Sequence, residues 1–444
     1  MKPIRGGLVS AVVAVLMVAP SADAATTATL VKDIRPGRAG SEIYSPAHIG
    51  DTLFFSAHDG PHGSELWRSD GTTAGTRLVK DVNPGNANAD PSKLTPSNGG
   101  LLFAAYEDTH GAELWRSDGT EGGTALVRDI YPGRKPGCCR ALTDVAGTAF
   151  FQGFDPEHGY ELWTSDGTRV GTRRTGSGSD PFPLVGVGRT LFFRAIDEIH
   201  GGELWRSDGT RAGTRLVKDI FPGDSWGNPY PVVNVAGTLF FGAIDPTYGA
   251  TLWTSDGTAA GTTRVSRAYR PFQIAEAVGN RLFFRRQDLR HFSELWVSDG
   301  TAAGTNLVKD FDSGGGNASP TYLTNLAGTL YFSAYDPAHG RELWTSDGTT
   351  AGTTLVKDVN PGPASGSPRK LTVAAGRLYF SARHAGQGRE LWESDGTTQG
   401  TNLVKDIAPG PRGSGAGSLI DVDGTLYLSA TDRTHGHELW KVAP

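Results

Sequence analysis

Two polar patterns in this sequence have the residue types for chemistry. His stands five positions before a Trp at His62, His110, His158, His200, His291, His339 and His435, and Asp stands eight before it in seven units. Both side chains ligate metals and carry protons, so Asp-x-x-His has the composition of a metal centre or an acid–base pair. The second pattern, Ser-Asp-Gly-Thr, follows eight Trp and offers one carboxylate for a calcium loop. A residue needed for chemistry is needed once, whereas these return in nearly every unit. The repetition therefore assigns them to the fold. Asp-x-x-His-Gly reads as a turn closed by side-chain to backbone hydrogen bonds. Ser-Asp-Gly-Thr reads as a hairpin whose Gly takes positive φ and whose Thr bonds within the turn. Asp421-Val422-Asp423-Gly424 comes nearest to the several alternating oxygens of a calcium loop, but it falls where other units carry a Val-x-Gly-Thr turn. Gly-x-Ser-x-Gly, His-Glu-x-x-His and a phosphate loop are all absent, and Gly186-Val187-Gly188 lies in a strand turn. No catalytic residue, metal or cofactor is expected.

The elements that carry these residues are copies of one unit. Leu-Trp occurs at Trp67, Trp115, Trp163, Trp205, Trp253, Trp296, Trp344, Trp392 and Trp440, spaced by 48, 48, 42, 48, 43, 48, 48 and 48 residues. A fixed period defines the architecture before any single motif does. One unit reads SPTYLTNLAG, TLYFSAYDPAHG, RELWTSDGTTAG, TTLVKDVNPG. Each segment is a short run rich in Leu, Val, Tyr, Phe and Thr, closed by Gly, Asp, Asn or Pro, and no helical period is present. Four strands per unit is a β-propeller blade. The expectation is an all-β propeller of about nine four-stranded blades. Thr29-Leu30-Val31-Lys32-Asp33-Ile34 has the pattern of a fourth strand, while the last unit, ending ELWKVAP, lacks one. The N-terminal strand is therefore expected to complete the last blade and remove an open edge.

Residues 1–24 read as a signal peptide. Lys2 and Arg5 precede the apolar run Leu8–Val18, and Ala22-Asp23-Ala24 offers a cleavage site. The remainder, 25–444, reads as a single propeller domain, secreted, periplasmic or at the cell surface, with no membrane insertion after cleavage. Its 42 basic residues fall to 40 and its 47 acidic residues to 46, a net charge of −6. This mildly acidic, mixed surface argues against nucleic acid as a partner. Cys138 and Cys139 are the only cysteines and are neighbours, compatible with a vicinal disulfide or with free thiols.

The chain resembles the bacterial ELWxxDGT-repeat proteins, through ELWRSDGT at Glu65–Thr72, ELWTSDGT at Glu342–Thr349 and their copies along the whole repeat region. That resemblance implies secretion and a propeller-like fold. It implies no catalytic residues, because the family is defined by its repeat.

Where units differ, function has room. The two short intervals lose residues in Arg173–Asp180 and Arg264–Pro271, where Leu-Val-Lys-Asp gives way to Arg. In the following strands Arg194 and Arg285 stand eleven before Trp, where small residues are usual, and Arg286 follows the second. Between these units lie Trp226, outside the repeat, and Tyr230; Tyr269 and Arg270 lie in the second short stretch. Propeller topology puts strand-two-to-three turns and blade-to-blade connections on one end of the ring. Arg194, Trp226, Tyr230, Tyr269, Arg270, Arg285 and Arg286 are thus expected on one face near blades 4–6. Arg grips carboxylates in two-pronged fashion and flat aromatics stack on sugar rings. The leading expectation is a non-enzymatic, monomeric binder of an extracellular glycan or surface protein. Two alternatives are a polysaccharide-degrading enzyme, with Tyr269 or His291 as base or acid, and a structural envelope protein. Arg paired to local Asp, with Trp226 packed under its own loop, remains the plain alternative at the site itself.

Overall fold

The computed structural model describes residues 26–176, 178–267, 274–288, 292–311 and 317–443. These form nine antiparallel sheets of four strands and no helix. Blades are numbered by their Trp, from Trp67 in blade 1 to Trp440 in blade 9. The first strand of each blade contacts the first strand of the next, and Gly417–Val422 of blade 9 meets Tyr44–Ile49 of blade 1. The sheets therefore form a closed ring with the first strands innermost. The protein is a nine-bladed β-propeller.

The second strand shows why the ring must close. In Thr329–Asp336, TLYFSAYD, Leu330, Phe332 and Ala334 pack toward blade 6, while Tyr331 packs toward blade 8. Strand alternation sends neighbours to opposite faces, so a strand apolar at consecutive positions needs cover on both sides. Nine apolar clusters result, one for each pair of adjacent blades. The cluster joining blades 9 and 1 holds Val422, Tyr427 and Leu439 against Leu53, Phe55 and Trp67.

Ala28–Lys32 supplies the fourth strand of blade 9, pairing Ala28 with Val442 and Leu30 with Trp440. Both expectations drawn from the ends of the repeat, the blade count and the closing strand, match the structure. Where a blade keeps Leu-Val-Lys-Asp, its Lys ties that blade to the next. Lys32 Nζ donates to the Thr76 carbonyl at 2.8 Å, Lys80 to Thr124 at 3.0 Å and Lys218 to Thr262 at 2.9 Å.

Two details differ from the sequence reading. The Arg-bearing short stretches are not wholly connections, since Arg173–Arg174 and Thr263–Arg267 are fourth strands of blades 3 and 5. In five blades the first strand also bulges at its second residue. Ser45, Lys93, Tyr322, Lys370 and Ser418 sit at positive φ where the register shifts. Such a bulge re-aims a side chain at the rim of a sheet.

Candidate binding face

The up-and-down order of each blade puts two kinds of loop at each end of the ring. One end carries the Ser-Asp-Gly-Thr hairpins. In blade 7 Asp347 Oδ1 accepts the Thr349 N–H at 2.8 Å and its hydroxyl at 2.8 Å, and Ser346 Oγ lies 2.7 Å from Thr353 Oγ1. These bonds hold the Asp347 carboxyl below its usual range. A Cβ on Gly352 would lie 2.2 Å from that carboxylate, so the second Gly of the motif is required for close approach.

The other end, the connection face, carries the Asp-x-x-His turns and the blade-to-blade connections. Asp59 accepts the His62 N–H at 2.9 Å and faces His62 Nδ1 at 2.7 Å. Asp336 and His339 repeat this in blade 7, at 2.7 Å and 2.9 Å. Where Tyr248 replaces His, its N–H still reaches Asp245 at 3.0 Å. The pair is turn chemistry, as its repetition implied. Among the described residues no group of three His, Cys, Asp or Glu is placed to hold a metal.

Sequence reasoning overlooked the Glu of Glu-Leu-Trp. Glu203 is fully buried and accepts three backbone N–H groups of the following connection, Ile220 at 3.0 Å, Phe221 at 3.1 Å and Gly227 at 2.8 Å. Glu65, Glu342, Glu390 and Glu438 bind their own connections in the same way. Burial raises these carboxyls against the pull of the donors, Glu65 and Glu113 to about 8 and Glu203, Glu342 and Glu438 to about 7. The two blades with shortened connections depart from this clamp. In blade 3 Glu161 instead meets Arg174 at 3.2 Å; blade 5 carries Thr251, and Arg264 lies 3.7 Å from Asp245 and stacks on Tyr248. The Arg gained there replaces part of a lost internal clamp.

The expected site residues that the structure describes have different neighbours. Arg194 donates to Asp180 at 3.0 Å and to Asn228 Oδ1 at 2.8 Å, tying together the connections that flank blade 4. Asp180 also accepts from Gln152 at 2.9 Å and faces Arg140 at 3.5 Å. Arg286 lies over the Trp296 ring, 4.0 Å from its centroid. Tyr230 is half-buried and registers opposite Gly242. Trp226 is 50 % exposed, its ring resting against Gly202. Tyr269, Arg270 and His291 lie outside the described residues. Cys138 and Cys139 have their sulfurs in bonding contact, packed beside Leu142 in the connection entering blade 3.

Arg285 belongs with other cations that the sequence reading passed over. Three positions before Trp the units carry Ser64, Ala112, Tyr160, Gly202, Ala250, Ser293, Arg341, Arg389 and His437, with Arg confined to blades 7 and 8. Arg341 donates to the carbonyls of Ser319 at 2.8 Å, Ala318 at 3.1 Å and Ser333 at 3.3 Å. Arg389 donates to those of Ser367 at 2.9 Å and Ser381 at 3.0 Å. Arg369, the first residue of the innermost strand of blade 8, is exposed. Arg341 is lowered by burial and by the charges of Arg285 and Arg369, and Arg389 by burial and by those of Arg369 and Arg383.

No protein-family model matches the chain, and no curated protein matches it. Among solved structures it is similar to a prolyl endopeptidase at 12 % identity, covering 89 % of this chain and 54 % of that one, TM-score 0.47. It is also similar to the β-propeller domain of the trilobed protease from Pyrococcus furiosus at 11 % identity, covering 82 % and 98 %, TM-score 0.41. A third similarity is to puromycin hydrolase, at 14 % identity, covering 81 % and 60 %, TM-score 0.38. The chain thus spans less than two thirds of the length of the two full-length peptidases.

Proposed function

We propose that this protein is an exported, non-enzymatic propeller of the ELWxxDGT-repeat kind, whose connection face binds an extracellular glycan. The carrying observation is Trp226. Half of this large ring stays in solvent, on a connection held by Glu203 below and by Arg194 through Asn228. A rigid, exposed aromatic on a braced loop is how a protein offers a stacking platform to a sugar ring. On this face the repeated Asp-x-x-His residues are held in turns, and a braced exposed aromatic favours binding as its use.

A glycan-array screen of the purified protein, with Trp226→Ala beside it, tests the reading. Wild type is expected to retain a restricted set of glycans, with the signal reduced at least about tenfold in Trp226→Ala. No retained glycan, or equal retention by the variant, contradicts it.

A further inference from the structure

We propose that Arg285, Arg341, Arg369 and Arg389, with the exposed ring of Tyr322, form a second subsite on the connection face that takes the acidic groups of an anionic oligosaccharide. The proposal deepens the glycan-binding reading and rests on it. The argument begins from charge. None of these four Arg forms an ion pair with a carboxylate among the described residues; Arg341 and Arg389 are held only by backbone carbonyls. This contrasts with Arg174, Arg194, Arg264 and Arg377, each of which meets an Asp or Glu. Gathering like charges without a counter-charge costs stability, and an arriving anion relieves that cost.

The placement is also regular. Arg341 and Arg389 occupy the same position in adjacent blades, and each grips the residue just before a Pro that leads into its own blade's innermost strand, Ser319 and Ser367. Arg369 opens that strand in blade 8, and the Arg285 N–H bonds the Ile274 carbonyl where blade 6 begins. Fixed carbonyls hold one side of each guanidinium and leave further N–H donors for a ligand. The hydroxyls of Ser333 and Ser381 are fully buried and unpartnered, on the residues whose carbonyls Arg341 and Arg389 bind.

Cations repeated from blade to blade suit a polymer whose acidic groups also repeat. Tyr322 is 39 % exposed at the bulge of blade 7, on the innermost strand that packs against the one Arg369 opens in blade 8, which brings a flat apolar face to the cationic rim. That pairing selects an acidic sugar over a bare phosphate. Carboxylate and sulfate share this chemistry, and the experiment separates them.

The test is isothermal titration calorimetry of the purified protein with oligogalacturonate, a sulfated heparin-derived oligosaccharide and a neutral maltooligosaccharide. At least one acidic ligand is expected to bind and the neutral one not, with affinity falling as salt screens the charges. Arg285→Gln/Arg369→Gln is expected to weaken binding at least about tenfold. Among the described residues neither side chain donates a hydrogen bond, so this variant is expected to keep or slightly raise its Tm. Unchanged affinity in the variant overturns the subsite; if Trp226→Ala still abolishes binding, the glycan reading stands without it. Binding of neither acidic ligand by wild type also overturns the subsite, and the array result then decides the broader reading separately.

Discussion

A chain lacking the residues through Asp33 is expected to aggregate or to lose more than about 15 °C in Tm. The segment Ala28–Lys32 is the whole fourth strand of blade 9, and without it Gly436–Val442 becomes an open edge with unpaired backbone groups. The loss extends past one ladder. Val31 and Ile34 are 3 % and 6 % exposed, packed in the cluster that seals blade 9 to blade 1, and Lys32 bonds the Thr76 carbonyl across that seam. Glu438 is fully buried and accepts from Ile34, Arg35 and Ser41, the segment that Ala28–Lys32 anchors, so truncation also unseats the donors of a buried carboxyl. Size-exclusion chromatography and thermal unfolding of the truncated chain check this. A discrete species with the wild-type Tm would show that the ring does not depend on this strand.

The second large effect lies in the Glu clamp. Glu203→Ala orphans three backbone N–H groups in a site without water access, at about 1–3 kcal/mol each. Allowing for partial relaxation, the expected destabilisation is about 3–6 kcal/mol, or roughly 3–7 °C in Tm for a chain of this size. The clamps also set a pH dependence. An unfolded Glu titrates near 4.5, whereas Glu65 and Glu113 hold their protons to about 8 and Glu203, Glu342 and Glu438 to about 7. Between those limits the folded clamps bind more protons than the unfolded chain, so their contribution to stability is full below about pH 4.5 and is lost as pH rises toward 8. His62, His200, His339 and His435, raised by their Asp partners, add a loss of the same sign above their ordinary value. Tm is therefore expected to be higher near pH 5 than near pH 8.5, with a shallower slope in Glu203→Gln. A Tm that rises across this window would contradict the assignment.

The repeat made the ring legible because blade identity is written in apolar alternation, and alternation is a local property. Leu330, Phe332 and Ala334 on one face and Tyr331 on the other follow from sequence order alone. The turns were legible for the same reason, since Asp347 and Asp336 bond partners two or three residues away. Glu203 was hidden because its partners lie 17 to 24 residues further on, across a strand and a connection. Arg194 and Arg286 looked alike as interruptions of the repeat. Their fates differ through neighbours the repeat does not encode, Asp180 and Asn228 for one and the Trp296 ring for the other. The signal for Arg341 and Arg389 was present, three before Trp in consecutive units, but that position has no consensus residue, and the carbonyls that hold each Arg lie 8 to 23 residues earlier.

Hydrogen–deuterium exchange of the full protein, with and without saturating oligogalacturonate or the heparin-derived oligosaccharide, tests the central claim most directly. Peptides around Ser319–Leu323 and Ser367–Leu371 on the connection face are expected to gain protection, with those spanning the Asp347 and Asp395 hairpins on the opposite end unchanged. Protection confined to the hairpin end, or spread evenly around the ring, would contradict a binding face built on the blade-to-blade connections.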